Sequence, residues 1–266
     1  MNSIQSGMVS FIIATFNGEK YLEETVRSAL NQLNVDVEII IIDDGSSDNS
    51  FLVAQELMKT DKRIVSLKND RNLGFCRTVN KGIGIAKGSH IVVLDQDDLL
   101  DKRHCERNLK LFDSETSLVF NDYYLIDGNG KIFDTGCHCL HREIHTEDFI
   151  TGNKIPVPGL MIDKERLLLV GGYPELSDFP NYGEYHTWIR MSEVGKIKFN
   201  ADSIAFYRRH DTNMTNSFTD VSTIKKLARY SCVCKKQLLK AKRLTFRDKC
   251  RVLISLAKDC KKIMFA

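Results

Sequence analysis

Four short apolar runs mark the first half of the chain: Val9 to Ala14 (VSFIIA), Glu38 to Ile42 (EIIII), His90 to Leu94 (HIVVL) and Ser117 to Phe120 (SLVF). Each is nearly continuous rather than alternating. Such runs read as strands buried on both faces, the pattern of a parallel sheet. Between them the spacing becomes helical. Tyr21 to Gln32 places Leu22, Val26, Ala29 and Leu30 on one face, and Ser50 to Met58 does the same with Phe51, Ala54, Leu57 and Met58. Ser46, Ser47 and Asp48 are candidate caps for the second helix. Alternating strands and helices predict right-handed βαβ units and an open α/β sheet over about the first 120 residues.

The second half is less regular. Gly128 to Gly130 predicts a hairpin turn, Leu160 to Ile162 a strand, and Tyr185 to Val194 a helix. Lys196 to Phe206 predicts a strand pair turning at Asn200-Ala201-Asp202, and the chain from Val221 onward has a helical composition. There is no internal repeat.

Ligands of open α/β sheets bind outside the carboxyl ends of the strands. Here those ends read Ala14-Thr15-Phe16-Asn17, Asp43-Asp44-Gly45-Ser46 and Asp95-Gln96-Asp97-Asp98. Asp95, Asp97, Asp98 and Asp101 would repel one another, and a hard cation relieves that repulsion. Mg²⁺ or Mn²⁺ takes one or two carboxylates from protein and the rest of its shell from phosphates and water. It would neutralise a diphosphate leaving group. The alternative is a solvated acidic loop capping a following helix. Asp43 and Asp44 are open to two readings as well, as turn formers or as acceptors for a base or ribose. No Gly-x-Gly-x-x-Gly follows the first strand and no Gly-Lys-Ser/Thr loop occurs, which argues against dinucleotide oxidoreductases and P-loop enzymes.

Composition changes the picture in two places. Eight cysteines accompany a polar Met1 to Ser10 that lacks a signal-peptide pattern, so free thiols in the cytoplasm are expected. No apolar run approaches the roughly 18 residues needed to span a bilayer. The net charge of +3 hides an asymmetry: Val221 to Ala266 carries 14 basic and 2 acidic residues, and the remainder 24 basic and 33 acidic. A basic tail on an acidic body points to an anionic partner.

Taken in order, the motifs resemble glycosyltransferase family 2, the inverting group with the GT-A fold. The resemblance runs from Val9 to Asn17, through Ile40 to Asp48, Asn72-Leu73-Gly74, Asn80-Lys81-Gly82, Gly88 and Leu94 to Asp98. It continues in Gly171-Gly172-Tyr173, Trp188 to Met191 and Tyr207-Arg208-Arg209-His210. It implies an α/β GT-A fold with a mainly parallel central sheet and a C-terminal helical extension. Residues 1–220 would form the catalytic domain, with about 8–120 binding a nucleotide-sugar and 121–220 an acceptor; 221–266 would be the basic extension.

The resemblance also implies roles. Ala14, Thr15, Asn17 and Asp44 would surround the nucleotide, with Asp95 near the ribose and metal; apart from the resemblance, Arg77 and Lys81 could meet phosphate. Asp97, Asp98 and His210 would hold or approach Mn²⁺ or Mg²⁺. Arg77 has a plainer alternative as an exposed helix residue, and His210 as a surface one. The general base of the family is an Asp in a Glu-Asp pair preceding the Trp helix. Counting back from Trp188 puts Glu184 at that Asp and Gly183 at the Glu, a departure from the pattern. Asp178 is the alternative base.

The implied reaction moves a hexose or N-acetylhexosamine from a nucleotide-sugar, UDP-linked by preference, to a sugar hydroxyl of a glycan or lipid-diphosphate-linked acceptor. Surface-polysaccharide assembly (O-antigen or capsule) is the implied setting. Other readings are a nucleotidyltransferase, for which Ala14 to Lys20 is a poor phosphate loop, and a non-catalytic nucleotide-sugar or membrane-binding module.

Cys137-His138-Cys139-x-His141, with His145, looks like a metal cluster but lacks the second ligand pair of a zinc site, so reduced loop cysteines are preferred. The lysines and arginines after Val221 intersperse with Leu, Ile, Val and Phe. That suits peripheral attachment to an anionic membrane surface, or a charged face packing its apolar side on the domain. No nucleic-acid recognition module is evident.

Overall fold

A computed structural model describes residues 7–136, 140–213, 216 and 221–265. Its centre is a sheet ordered β3-β2-β1-β4-β8-β6-β9-β5. The strands are β1 (Val9–Thr15), β2 (Val37–Asp43), β3 (Ile64–Lys68), β4 (His90–Val93), β5 (Leu99–Leu100), β6 (Thr116–Ile126), β7 (Ile132–Thr135), β8 (Met161–Asp163) and β9 (Lys196–Arg208). Three of the four apolar runs, β1, β2 and β4, pair in parallel as expected, and the unpredicted β3 adds to β2 in parallel; the fourth run lies in β6, which pairs antiparallel with β7 and β8 and parallel only with β9. The rest of the sheet is mixed. β8 runs antiparallel to both β4 and β6, β5 antiparallel to β9, and β6 parallel to β9. The Gly128 to Gly130 turn joins β6 to its antiparallel partner β7.

The helices are α1 (Leu22–Leu30), α2 (Ser50–Thr60), α3 (Phe75–Ile85), α4 (His104–Leu109), α5 (Lys164–Leu169), α6 (Glu184–Val194), α7 (Val221–Lys240) and α8 (Phe246–Phe265). They cover both faces of the sheet, and the strand side chains divide accordingly. Ile12, Ile40, Ile42 and Ile91 face a core shared with α3, α6 and α7. Phe11, Ile13, Ile39 and Ile41 face a core shared with α1, α2 and α4. This two-sided burial is why the runs do not alternate. Each such side chain contributes about 1.5–3 kcal/mol on leaving water.

Three local expectations are corrected. Met58 is 39% exposed, because α2 turns Ala54 and Leu57 inward instead. The N-cap of α2 is Asn49, without a side-chain capping bond; of the three predicted caps, Asp48 reaches the first turn by accepting from Ser50 N. Lys196 to Phe206 is one long strand rather than a hairpin. Ala201 to Ser203 bulge out between Asn200, which pairs with Asn121, and Ile204, which pairs with Asp122, and Asn200 is anchored to Asn108 at 2.7 Å.

The basic segment is packed rather than free. α7 puts Tyr230, Cys234 and Leu238 into the core that holds Trp188, and Val252 of α8 joins them. Among the described residues no helix is long and apolar enough to cross a membrane. The six described cysteines are free thiols.

Candidate active site

The carboxyl ends of β1, β2 and β4 meet at one edge of the sheet. Thr15 pairs with Asp43, and Asp44 N donates to Thr15 O at 2.8 Å. The loop after β1 must reverse tightly, and Asn17 adopts φ 53° to do so. It is tied to the loop after β2: Asn17 N donates to Ser46 Oγ, Ser47 N to Asn17 Oδ1, and Gly18 N to Ser50 Oγ. Gly45 makes the second turn with φ +77°, where a Cβ would lie 2.7 Å from the backbone of Arg71. Asp44 holds that neighbouring loop by accepting from Asn69 Nδ2, Leu73 N and Gly74 N.

Above this edge opens a cavity of about 810 Å³, lined among others by Ala14, Thr15, Asn17, Asp44, Asp95, Asp97, Glu184 and His210. Eight of the expected site residues therefore come together. Three do not. Asp98 is fully buried beneath the cavity, where Oδ1 accepts from Arg208 N at 3.0 Å. Arg77 lies outside the lining, half exposed, where Glu175 at 3.4 Å pairs with its guanidinium. Asp178 is exposed and outside the lining, leaving Glu184 as the candidate base.

His210 Nε2 lies 2.8 Å from Asp97 Oδ2, both side chains being 14% exposed. Asn213 Nδ2 also reaches Asp97 Oδ2, at 3.3 Å, and Thr212 Oγ1 lies 2.9 Å from His210 Nδ1. This pair could hold a hard divalent cation. Among the described residues no three His, Cys, Asp or Glu side chains form a ready ligand cluster. Two protein ligands suit Mg²⁺ or Mn²⁺ completed by phosphate oxygens and water, and do not suit a closed structural site.

The electrostatics separate the acids. Burial, reinforced by Asp97 and Glu184, pushes Asp95 up to about 7. Burial also raises Glu184 above the ordinary glutamate value, opposed by hydrogen bonds from its own backbone and Gly183 N. Glu184 opens α6, with Gly183 as its N-cap. The Gly at that cap has a steric reason: a Cβ there would lie 2.7 Å from both Cys76 Sγ and Tyr173 Cδ1. The departure from a Glu-Asp pair thus coincides with tight packing under the base.

Two residues of the site escaped analysis of the sequence. Gln96 Oε1 accepts from Thr15 Oγ1 and Phe16 N, fastening the β1 loop to the acidic segment. Arg208 is fully buried: Nε donates to Asp97 O, Nη2 reaches Glu24, and the guanidinium lies 4.7 Å from the centre of the Tyr21 ring. Position within the Asp-Gln-Asp-Asp and Tyr-Arg-Arg-His motifs was the available signal for both. Of the cysteine-histidine cluster, residues 137–139 lie outside the described residues. His141 stacks on Phe199 beside Asp122, and His145 opens a 3-10 turn (Thr146–Thr151).

A mixed α/β sheet that gathers acidic strand ends under a nucleotide-sized cavity defines a GT-A fold. The profile of Glycosyl transferase family 2 matches residues 10–151, and the chain belongs to that family. An uncharacterised glycosyltransferase of Methanocaldococcus jannaschii is 31% identical over 187 residues, which cover 69% of this chain and 64% of that relative. This chain thus matches just under two thirds of the relative's length. Staphylococcus aureus TarS, solved with UDP-GlcNAc, superimposes with a TM-score of 0.72 at 17% identity, covering 97% of this chain and 73% of that one. The mannosyltransferase PcManGT of Pyrobaculum calidifontis, solved with GDP-Man and Mn²⁺, gives a TM-score of 0.66 at 14% identity, covering 96% and 74%.

Proposed function

We propose that this chain is an inverting, metal-dependent glycosyltransferase that moves a hexose or N-acetylhexosamine from a nucleoside-diphosphate sugar to a hydroxyl of a glycan acceptor. The convergence of Asp95, Asp97, His210 and Glu184 on one cavity carries this reading. The β1 and β2 loops and Asp44 bind the nucleoside, and Asp95 faces the ribose. Asp97 and His210 hold Mg²⁺ or Mn²⁺. When bound, the metal supplies a positive charge against the leaving diphosphate.

Glu184 takes the proton from the acceptor hydroxyl. Its raised pKa makes it a stronger base than a solvated glutamate. Deprotonation directs the hydroxyl oxygen to the anomeric carbon opposite the departing diphosphate, and the anomeric configuration inverts.

UDP is the favoured donor nucleotide, supported by the likeness to TarS with its UDP-GlcNAc. GDP-linked donors stay in the test, given PcManGT with GDP-Man. Surface-polysaccharide assembly on a lipid-diphosphate-linked acceptor is the proposed setting, supported by the family motifs.

The test is a transfer screen with UDP-, GDP- and dTDP-sugars, Mn²⁺ or EDTA, and diphosphate-lipid acceptors. Product anomers would be assigned by NMR. Metal-dependent transfer with inversion, lost in Glu184→Gln, supports the proposal. Undiminished transfer in EDTA overturns the metal assignment, and a retained anomer overturns the role of Glu184.

A further inference from the structure

α8 presents two unlike faces. Its inner face carries Val252, Ser255 and Asp259. Val252 is fully buried, Ser255 Oγ donates to Ile150 O at 3.0 Å, and Asp259 pairs with Lys235 of α7 at 2.5 Å. The side chains of that ion pair are only 5% and 10% exposed. These contacts fix the rotation of α8 about its axis.

The opposite face is largely apolar and open to solvent. Phe246 is 85% exposed, Leu253 53%, Ile254 61% and Met264 66%. Leu253 and Met264 lie close to whole numbers of helical turns from Phe246, and Ile254 lies about 80° further round, so the four share one broad face, with exposed Lys261 inside it. Exposed Arg247, Arg251, Lys258 and Lys262 run along one flank of it. The whole segment from Val221 carries 14 basic and 2 acidic residues.

We propose that this face of α8 is a docking surface for an anionic lipid bilayer. The helix would lie in the plane of the membrane, its stripe at the boundary between headgroups and acyl chains and its cations on lipid phosphates. Charge complementarity selects this occupant. A second copy using the same stripe would bring two cationic flanks together, and like charges disfavour that pairing. The proposal rests on the surface of α8 and is independent of the reaction proposed above.

Removing α7 and α8 would take Cys234, Leu238 and Val252 out of the core, so point substitutions on the exposed face are the appropriate test. The full chain would be sedimented with vesicles of phosphatidylcholine alone or mixed with phosphatidylglycerol. Binding to the anionic vesicles is expected, and should weaken as salt rises. Leu253→Ser/Ile254→Ser and Arg247→Glu/Lys258→Glu should each weaken it by about tenfold or more with thermal melting unchanged. Absence of binding by the wild-type chain overturns the proposal, as does equal binding by both variants. So does a wild-type dimer in analytical ultracentrifugation that the Leu253→Ser/Ile254→Ser variant dissociates.

Discussion

Arg208 donates its backbone N–H to Asp98 Oδ1 at 3.0 Å and its Nε–H to the carbonyl of Asp97 at 2.8 Å. One residue at the end of β9 thereby holds two successive residues that follow β4, from 110 positions away in sequence. The same end of β9 leads into His210. Arg208 thus sets the position of the segment that carries Asp97 and of the histidine that faces it. Arg208→Met should lower stability by about 1.5–3 kcal/mol, the usual loss for hydrogen bonds to charged groups. It should also raise the Mn²⁺ concentration for half-maximal activity. Chemical denaturation and a metal titration check the two effects separately.

Asp98 and Asp97 should respond differently to substitution. Asp98→Asn keeps an acceptor for Arg208 N, so the metal dependence should stay within a few-fold of wild type. Asp98→Ala leaves that buried N–H without its partner and should cost about 1–3 kcal/mol of stability. Asp97→Asn and His210→Ala should each raise the half-saturating Mn²⁺ by about tenfold or more, an effect comparable to altering a metal site's immediate support. Equal metal dependence of Asp97→Asn and wild type would remove Asp97 from the metal site.

Glu184→Gln preserves shape and removes the base. The turnover number should fall by about 10²–10⁴-fold, with KM for the donor changed only a few-fold. Steady-state kinetics with saturating metal distinguish this from a folding defect, which would reduce active enzyme without separating kcat from KM.

The pH profile follows from the direction of the Glu184 shift. Only its carboxylate accepts the acceptor's proton, and burial raises its pKa above the ordinary glutamate value of 4.5. Activity should therefore fall as pH decreases through a value above 4.5, earlier than a solvated glutamate would lose it. A pH–kcat/KM curve at saturating metal measures this limb. An acid limb at or below the ordinary glutamate value would contradict the buried environment.

Gly183→Ala tests the packing beneath the base. Its new methyl would meet Cys76 Sγ and Tyr173 Cδ1 at 2.7 Å. Overpacking of this kind costs about 1–3 kcal/mol and should shift the start of α6. Melting would detect the loss, and a reduced kcat would report displacement of Glu184. For the same reason Gly183→Glu should fail to recreate a productive acidic pair.

The sequence determined the parts of this protein that depend on local pattern. β1, β2 and β4 were legible because burial on both faces demands uninterrupted apolar residues, and α1 and α6 because their burial follows the helical period. The β-strand ends carried the acidic residues, so Asp44, Asp95 and Asp97 could be placed at one edge before any tertiary contact was known. β3 was not legible: its IVSLK segment is half-buried near the rim, and its pattern is short. The bulge in β9 was equally hidden, since an Asn-Ala-Asp sequence suits a turn or an excursion from a strand.

Tertiary structure decided what long-range contacts control. It separated Asp97 from its neighbour Asp98, turning one toward the cavity and burying the other against Arg208. It carried Arg77 toward Glu175, and it put α7 into the core while leaving one face of α8 outside. None of these choices has a periodic signature, because each depends on which distant group fills the space beside a side chain. Local sequence sets the strands and helices; only their assembly fixes which acids face the cavity and which basic residues face solvent.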